Sequence, residues 1–168
     1  SKTSRRVDLY ARLSVLEDCY WIAENIREAD RNEIAAHSGQ TPLEALVTGF
    51  STSDVPFTII GDGVPAGMFG AGPAIPGVGM IWLLGTDLLL GNTTRFLRES
   101  RFWLDQCARP YDMMFNFVDA RNTVHIRWIK WLGFTLINLH QEYGVEKRPF
   151  YEFVRIFSCV SSLPLLLL

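Results

Sequence analysis

At 168 residues the chain has room for one domain with a sizeable core and too little for two of ordinary size. A hydrophobic share of 48% against 20% charged residues excludes a disordered chain, and a net charge of −2 removes the global basic excess that phosphate neutralisation needs. Cys19, Cys107 and Cys159 are odd in number, widely spaced and form no CxxC pair, which argues against a disulfide framework or a zinc site and for buried thiols made in a reducing cytosol.

The basic start Ser1–Arg6 is followed by no apolar segment of the secretory kind. Arg6 to Tyr10 alternates weakly and predicts a first strand. Ser14-Val15-Leu16-Glu17 has the spacing of a capping box and predicts a helix through Ile26. A second helix is expected from Glu28 to His37, ended by Ser38-Gly39. Thr41-Pro42-Leu43-Glu44 predicts a third to about Phe50, with proline at the first helical position, where no amide bond is lost. Phe57–Ile60, the turn Gly61-Asp62-Gly63 and Val64–Phe69 read as strand, turn, strand. Gly70 to Pro76 reads as a loop, and Val78–Leu84 as a short buried strand. Gly77 to Leu90 is the most apolar stretch, yet it is too short to span a bilayer and carries Asp87. An amphipathic helix is expected from Asn92 to about Cys107, with Arg95 and Glu99 as a surface pair. Met113–Val118 reads as a strand, and Asn122–Leu132 as a helix that Gly133 closes in a left-handed conformation. Phe134–Leu139 and Phe150–Phe157 complete the list as strands. Strands interleaved with single helices in this order imply an α/β domain with a mixed sheet covered by helices.

One segment carries a sharper signal: Asn122-Thr-Val-His125-Ile-Arg127-Trp-Ile-Lys-Trp-Leu-Gly133-Phe134. It resembles the GNAT N-acyltransferases, in which an Asn at the end of the fifth strand opens a helix that ends in Leu-Gly-Phe. Asp119-Ala-Arg-Asn-Thr-Val-His-Ile-Arg, Phe96-Leu-Arg-Glu-Ser, Gly85-Thr-Asp and Arg148-Pro-Phe resemble more narrowly a GNAT-like family from short-tailed, podovirus-type phages. Its members are described as internal virion proteins or as proteins of unknown function. Arg27-Glu-Ala-Asp-Arg-Asn-Glu-Ile and Pro42-Leu-Glu-Ala-Leu fit the same family. The resemblance spans residues 20 to 157 and implies a GNAT-like domain over residues 1–157, followed by an apolar tail, 158–168. That tail ends in Leu165–Leu168, which folds back or meets a partner.

The resemblance also sets requirements for chemistry. The cofactor needs the sheet to splay between the fourth and fifth strands. Its pyrophosphate needs a cradle of backbone amides at a helix start. The usual Arg/Gln-x-x-Gly-x-Gly/Ala pattern is absent, which leaves Gly91, Asn92, Thr93 and Thr94, with Asn122, as the residues that would hold acetyl-CoA. Asp87 would repel phosphate unless it points away. Many family members place an acidic Tyr seven residues after the Asn; Ile129 stands there and cannot donate a proton. Val78–Leu84 has no ionisable side chain, so His125 and Asp119 are the nearest candidates for a base, His125 having a plain alternative as a packing or capping residue.

These departures point to a virion-associated structural protein on a degenerate GNAT-like fold. On this reading it uses no cofactor, binds no metal, sits in the particle after synthesis in the bacterial cytoplasm, and acts by contacting other virion proteins or its own copies. The alternative is an active acyl-CoA-dependent N-acetyltransferase modifying a host or phage amine. The five tryptophans are expected in the core, and Arg95, Arg98 and Arg101 on a solvated face paired with Glu99 and Asp105. No membrane span and no strong nucleic-acid signal is present.

Overall fold

The computed structural model describes residues 9–157, with the side chains of residues 91–93 left aside. Among these residues lie seven strands and five α-helices. β1 (Leu9–Leu13) is followed by α1 (Leu16–Glu24), α2 (Glu28–Ser38) and α3 (Pro42–Thr52). Then come β2 (Phe57–Gly61), β3 (Val64–Ile75) and β4 (Val78–Gly85). A 3-10 turn, Asp87–Asn92, leads into α4 (Thr93–Ala108), followed by β5 (Met113–Asp119), α5 (Thr123–Trp131), β6 (Thr135–Tyr143) and β7 (Arg148–Ile156).

The strands form one mixed sheet in the order β1-β2-β3-β4-β5-β7-β6. Only β4 and β5 run parallel, and all other neighbours are antiparallel. Two apolar layers cover the sheet. α4 and α5 bury Phe96, Trp103, Leu104 and Trp128 against Ile59, Phe69, Met114, Val118 and Phe153. α1, α2 and α3 bury Cys19, Ile22, Ile34 and Leu46 against Met68 and Leu84 on the second layer. Each fully buried aliphatic side chain of this kind stabilises the fold by roughly 1.5–3 kcal/mol.

Several expectations need correction. Residues 6–8 of the expected first strand and the 158–168 tail, with Cys159, lie outside the described residues; β1 continues to Leu13. The Gly70–Pro76 segment is not a loop, since β3 continues to Ile75 in register with β4. The glycines serve close packing there: a Cβ on Gly72 would strike the Thr52 carbonyl oxygen, and one on Gly70 would lie 2.6 Å from Ser53 Oγ. They let the end of α3 lie directly on the sheet. Ser14 does not cap α1. Val15 is the N-cap residue, its amide donates to Asp18 Oδ2 at 3.0 Å, and the Ser14 hydroxyl accepts from Thr58. Trp103 and Trp128 are buried as expected, but Trp21 and Trp131 are exposed. Trp131 lies under the Arg101 guanidinium, 3.9 Å from the ring centroid, so Arg101 stacks on an indole rather than pairing with an acid.

The turn between β6 and β7 docks on the C-terminal end of α2. Val145 and Glu146 amides donate to the His37 and Ala36 carbonyls, groups that a helix end leaves without internal partners. Gly144 sits there at φ 72°, and a Cβ would collide with the Ala36 carbonyl oxygen. Gly144→Ala therefore combines left-handed strain with a backbone clash. It is expected to lower the unfolding free energy by about 1–3 kcal/mol, read as a fall in the urea midpoint at unchanged slope.

Candidate active site

β4 and β5 pair over only three positions, Val78–Met113, Gly79–Met114 and Met80–Phe115. Beyond Met80 and Phe115 the strands part, although β4 runs to Gly85 and β5 to Asp119. The result is a wedge open toward the C-terminal ends of the only parallel pair. The parting of the sheet between the fourth and fifth strands, the condition set by the family resemblance, is thus present.

The backbone edge of β4 that faces the wedge follows from strand parity. Thr86 donates its amide to Ala66 of β3, which turns the even-numbered residues toward β3 and Ile81, Leu83 and Gly85 toward β5. Asn116 of β5 reaches across and donates its Nδ2 to the Ile81 carbonyl at 2.7 Å, while its Oδ1 accepts from the Phe117 amide at 2.8 Å. Gly85 is held from α2: its amide donates to Asp30 Oδ2 at 3.0 Å and its carbonyl accepts from the Arg27 amide at 2.9 Å. Leu83, between these two links, is bridged by neither.

α2 thus supplies the polar side chains of the wedge mouth. Asp30 is fully buried, taking the Arg27 guanidinium at 3.3 Å and Asn122 Nδ2 at 3.2 Å in addition to the Gly85 amide. Glu33 accepts the Asp119 amide at 2.7 Å and approaches Asn122 Nδ2 at 3.5 Å. Part of Glu33 remains accessible. Enclosure of its carboxylate, reinforced by the charges of Asp30 and Asp119, nevertheless pushes its pKa up to about 8. The hydrogen bonds from the Asp119 amide and Asn122 work the other way without offsetting the burial.

The four positions on the helix after β4 and the Asn after β5 take different places. Gly91 and Asn92 end the 3-10 turn, and Thr93 and Thr94 open α4. Asp87 is exposed, and Leu89 is fully buried against Gly67 and Gly85. Asn122 caps α5 by accepting from the His125 amide at 3.5 Å while its Nδ2 turns to Asp30. It is 2% exposed and belongs to the buried polar cluster. Asp119 is held by Arg121, with Nη2 to Oδ2 at 2.7 Å and Nε to Oδ1 at 3.0 Å. His125 is buried and tilted on Trp128, with ring centroids 5.2 Å apart. Its Nε2 comes within 3.3 Å of Asp30 Oδ1 without the alignment of a hydrogen bond, and among the described residues it is the one buried side-chain nitrogen or oxygen left without a partner. Burial, with the Arg27 charge, lowers its pKa against the opposing pull of Asp30, so the ring is neutral at pH 7.

Sequence reasoning placed Asn122, Asp119 and His125 together and missed Arg27, Asp30 and Glu33. A signal was present. Ile26, Asp30 and Ile34 lie four apart, with a buried isoleucine just before α2 and another on its apolar stripe flanking a carboxylate. Beside this cluster an open cleft of about 260 Å³ is lined by Glu28, Ala29, Asn32, Asp119, Arg121 and Asn122.

The raised pKa of Glu33 has a consequence for stability. The native state holds a proton that the unfolded chain releases near the ordinary value of 4.5, so stability falls as pH rises from there toward about 8. Glu33→Gln removes this dependence. Its melting temperature is expected to match the wild type near pH 5 and to exceed it near pH 9, as thermal scans at the two pH values would show.

No protein-family model matches the sequence, and no curated protein matches it. Solved structures do match. A protein of Acinetobacter baylyi assigned as an acetyltransferase superposes with a TM-score of 0.69 at 15% identity, over 90% of this chain and 94% of that one. An acetyltransferase of the GNAT family from Bacillus anthracis gives 0.65 at 10% identity, over 90% and 96%. A Salmonella typhimurium protein assigned as an acetyltransferase, solved with its cofactor acetyl-CoA, gives 0.64 at 16% identity, over 92% and 96%. The chain therefore has the GNAT acetyltransferase fold, a mixed seven-stranded sheet flanked by helices.

Proposed function

We propose that the chain is an acyl-CoA-dependent N-acyltransferase whose thioester lies in the wedge between β4 and β5 and whose amine acceptor approaches from α2. The observation that carries this reading is Glu33, a carboxylate at the wedge mouth with its pKa raised to about 8. A base must be both ionisable near the working pH and strong enough to receive the proton, and a carboxylate near 8 meets both needs far better than an ordinary one. The base missing from β4 is thus supplied from α2. Asp119, occupied by Arg121, is not free for that work, and neutral His125 lies deeper in the cluster.

Acyl-CoA supplies the activated carbonyl. The amine nitrogen attacks the thioester carbon, the C–N bond forms and the C–S bond breaks. Glu33 takes the N–H proton, and water protonates the departing thiolate, since Ile129 offers no acid. Leu83 presents the β4 edge on which the thioester arm can pair, and the amides at Gly91–Thr94 stand where α4 begins. Asn122 holds Glu33 and the start of α5 in place. Gly85 would have to exchange Asp30 for the substrate before its amide could serve the carbonyl oxygen.

That last point favours a second reading. The Gly85 amide already satisfied by Asp30, and Leu89 packed beneath Gly85, suit a fold kept as a scaffold. In that case the protein is a virion component that acts through contacts with other virion proteins, as its resemblance to the phage family implies. Release of free thiol from acetyl-CoA, followed with a panel of primary amines, separates the two. Amine-dependent release above the rate of spontaneous hydrolysis is expected. Its absence with every amine, together with the protein's presence in purified particles, would establish the scaffold reading instead.

A further inference from the structure

The rung at which β4 and β5 part is occupied by a side chain. The Met113 amide donates to the Gly77 carbonyl. A parallel ladder repeats this bond every two residues, from Phe115 to Gly79 and then from Phe117 to Ile81. The pairing stops at Met80–Phe115, one bond short of that last rung. Asn116 stands in the gap: its Oδ1 accepts from the Phe117 amide at 2.8 Å and its Nδ2 donates to the Ile81 carbonyl at 2.7 Å. One rung higher, the Asp119 amide, whose ladder partner would be the Leu83 carbonyl, is taken by Glu33.

Direct closure of the Phe117–Ile81 rung would satisfy the same amide and carbonyl with no side chain at all. For the backbone, the inserted carboxamide therefore changes only the distance between the strands, which an ordinary ladder holds at about 4.8 Å. Its place on the strand is equally telling. Met114 and Val118, the neighbours of Asn116 on one face of β5, are 0% and 1% exposed in the apolar layer under α4 and α5. An apolar side chain between them would carry no polar group into that layer.

We propose that Asn116 is the positioning residue that holds the wedge open for an extended, amide-bearing arm, the kind of ligand that adds to a free strand edge. Taking that arm to be the one of acyl-CoA rests on the acyltransferase reading; the spacer itself does not. Asn116→Ala and Asn116→Leu both remove the carboxamide, and leucine restores an apolar side chain to the core face should the alanine variant fold poorly. Each variant should let the rung close. In isotope-labelled protein, the coupling through the hydrogen bond of the Phe117 nitrogen should then move from the Asn116 side-chain carbon to the Ile81 carbonyl carbon. Calorimetric titration should show acetyl-CoA bound about tenfold more weakly, since one backbone hydrogen bond must break before the arm enters. A merely structural Asn116 would alter the urea midpoint without producing the Ile81 coupling. Absence of that coupling in both variants, or its appearance with acetyl-CoA affinity unchanged, overturns the inference. Closure of the rung in a protein whose wild type takes up no acetyl-CoA upholds the spacer and sinks the acyltransferase reading.

Discussion

Glu33→Gln is expected to lower kcat/KM for amine acylation by about 100-fold, the lower end of what a positioned base contributes. Gln keeps the shape of Glu and can still accept from the Asp119 amide, so the fold and the helix contact survive. What is lost is the ability to receive a proton. The signature lies in the pH dependence. Because the acceptor amine also titrates, neither enzyme's profile is simple alone, but the ratio of wild type to variant cancels the amine. That ratio should climb as pH rises to about 8, where the Glu33 carboxylate becomes ionised, and then level off. A ratio that is flat from pH 6 to 9 would mean that Glu33 is a structural acid and that the proton leaves by another route.

Asp30→Ala is expected to cost about 3–5 kcal/mol of stability, because it removes one partner of a buried charge pair and leaves the other in place. Arg27 is 4% exposed and has Asp30 as its carboxylate partner. The Gly85 amide and Asn122 Nδ2 would lose their acceptor as well. Against a typical total of about 5–15 kcal/mol, this is enough to leave a visible unfolded fraction at 37 °C. Urea denaturation would read it directly, and a loss under about 0.5 kcal/mol would show that water replaces the carboxylate without penalty. Asp30→Asn separates charge from shape. It keeps an acceptor for Gly85 yet still strands Arg27, so it should fall between wild type and alanine. In any such variant that folds, loss of the Asp30 charge lowers the pKa of Glu33 and moves the rise of the activity ratio below pH 8.

Local chemistry was legible in the sequence where it was self-contained. Gly133 stands at φ 84° after α5, and Asn122 opens that helix, because capping depends on residues within a few positions. Thr41 likewise accepts from the Glu44 amide at the start of α3. The Gly70–Ile75 strand was illegible because its glycines answer to a helix end twenty residues away in sequence, and glycine clusters otherwise signal loops. Glu33 was illegible for the same reason. Its pKa is set first by burial under the tertiary fold and then by the charges of Asp30 on its own helix and Asp119 on β5. β4 carries no ionisable side chain from Val78 to Leu84, and the polar groups beside the wedge come instead from the α2 side. Only Asp30, a carboxylate between two buried isoleucines, advertised that α2 has a polar task inside the fold.

The central claim is that the wedge between β4 and β5 takes an acyl-CoA, and calorimetric titration of the purified chain with acetyl-CoA tests it most directly. Binding in the micromolar range is the result this account predicts. No heat of binding at millimolar acetyl-CoA would contradict it and leave the fold as a scaffold.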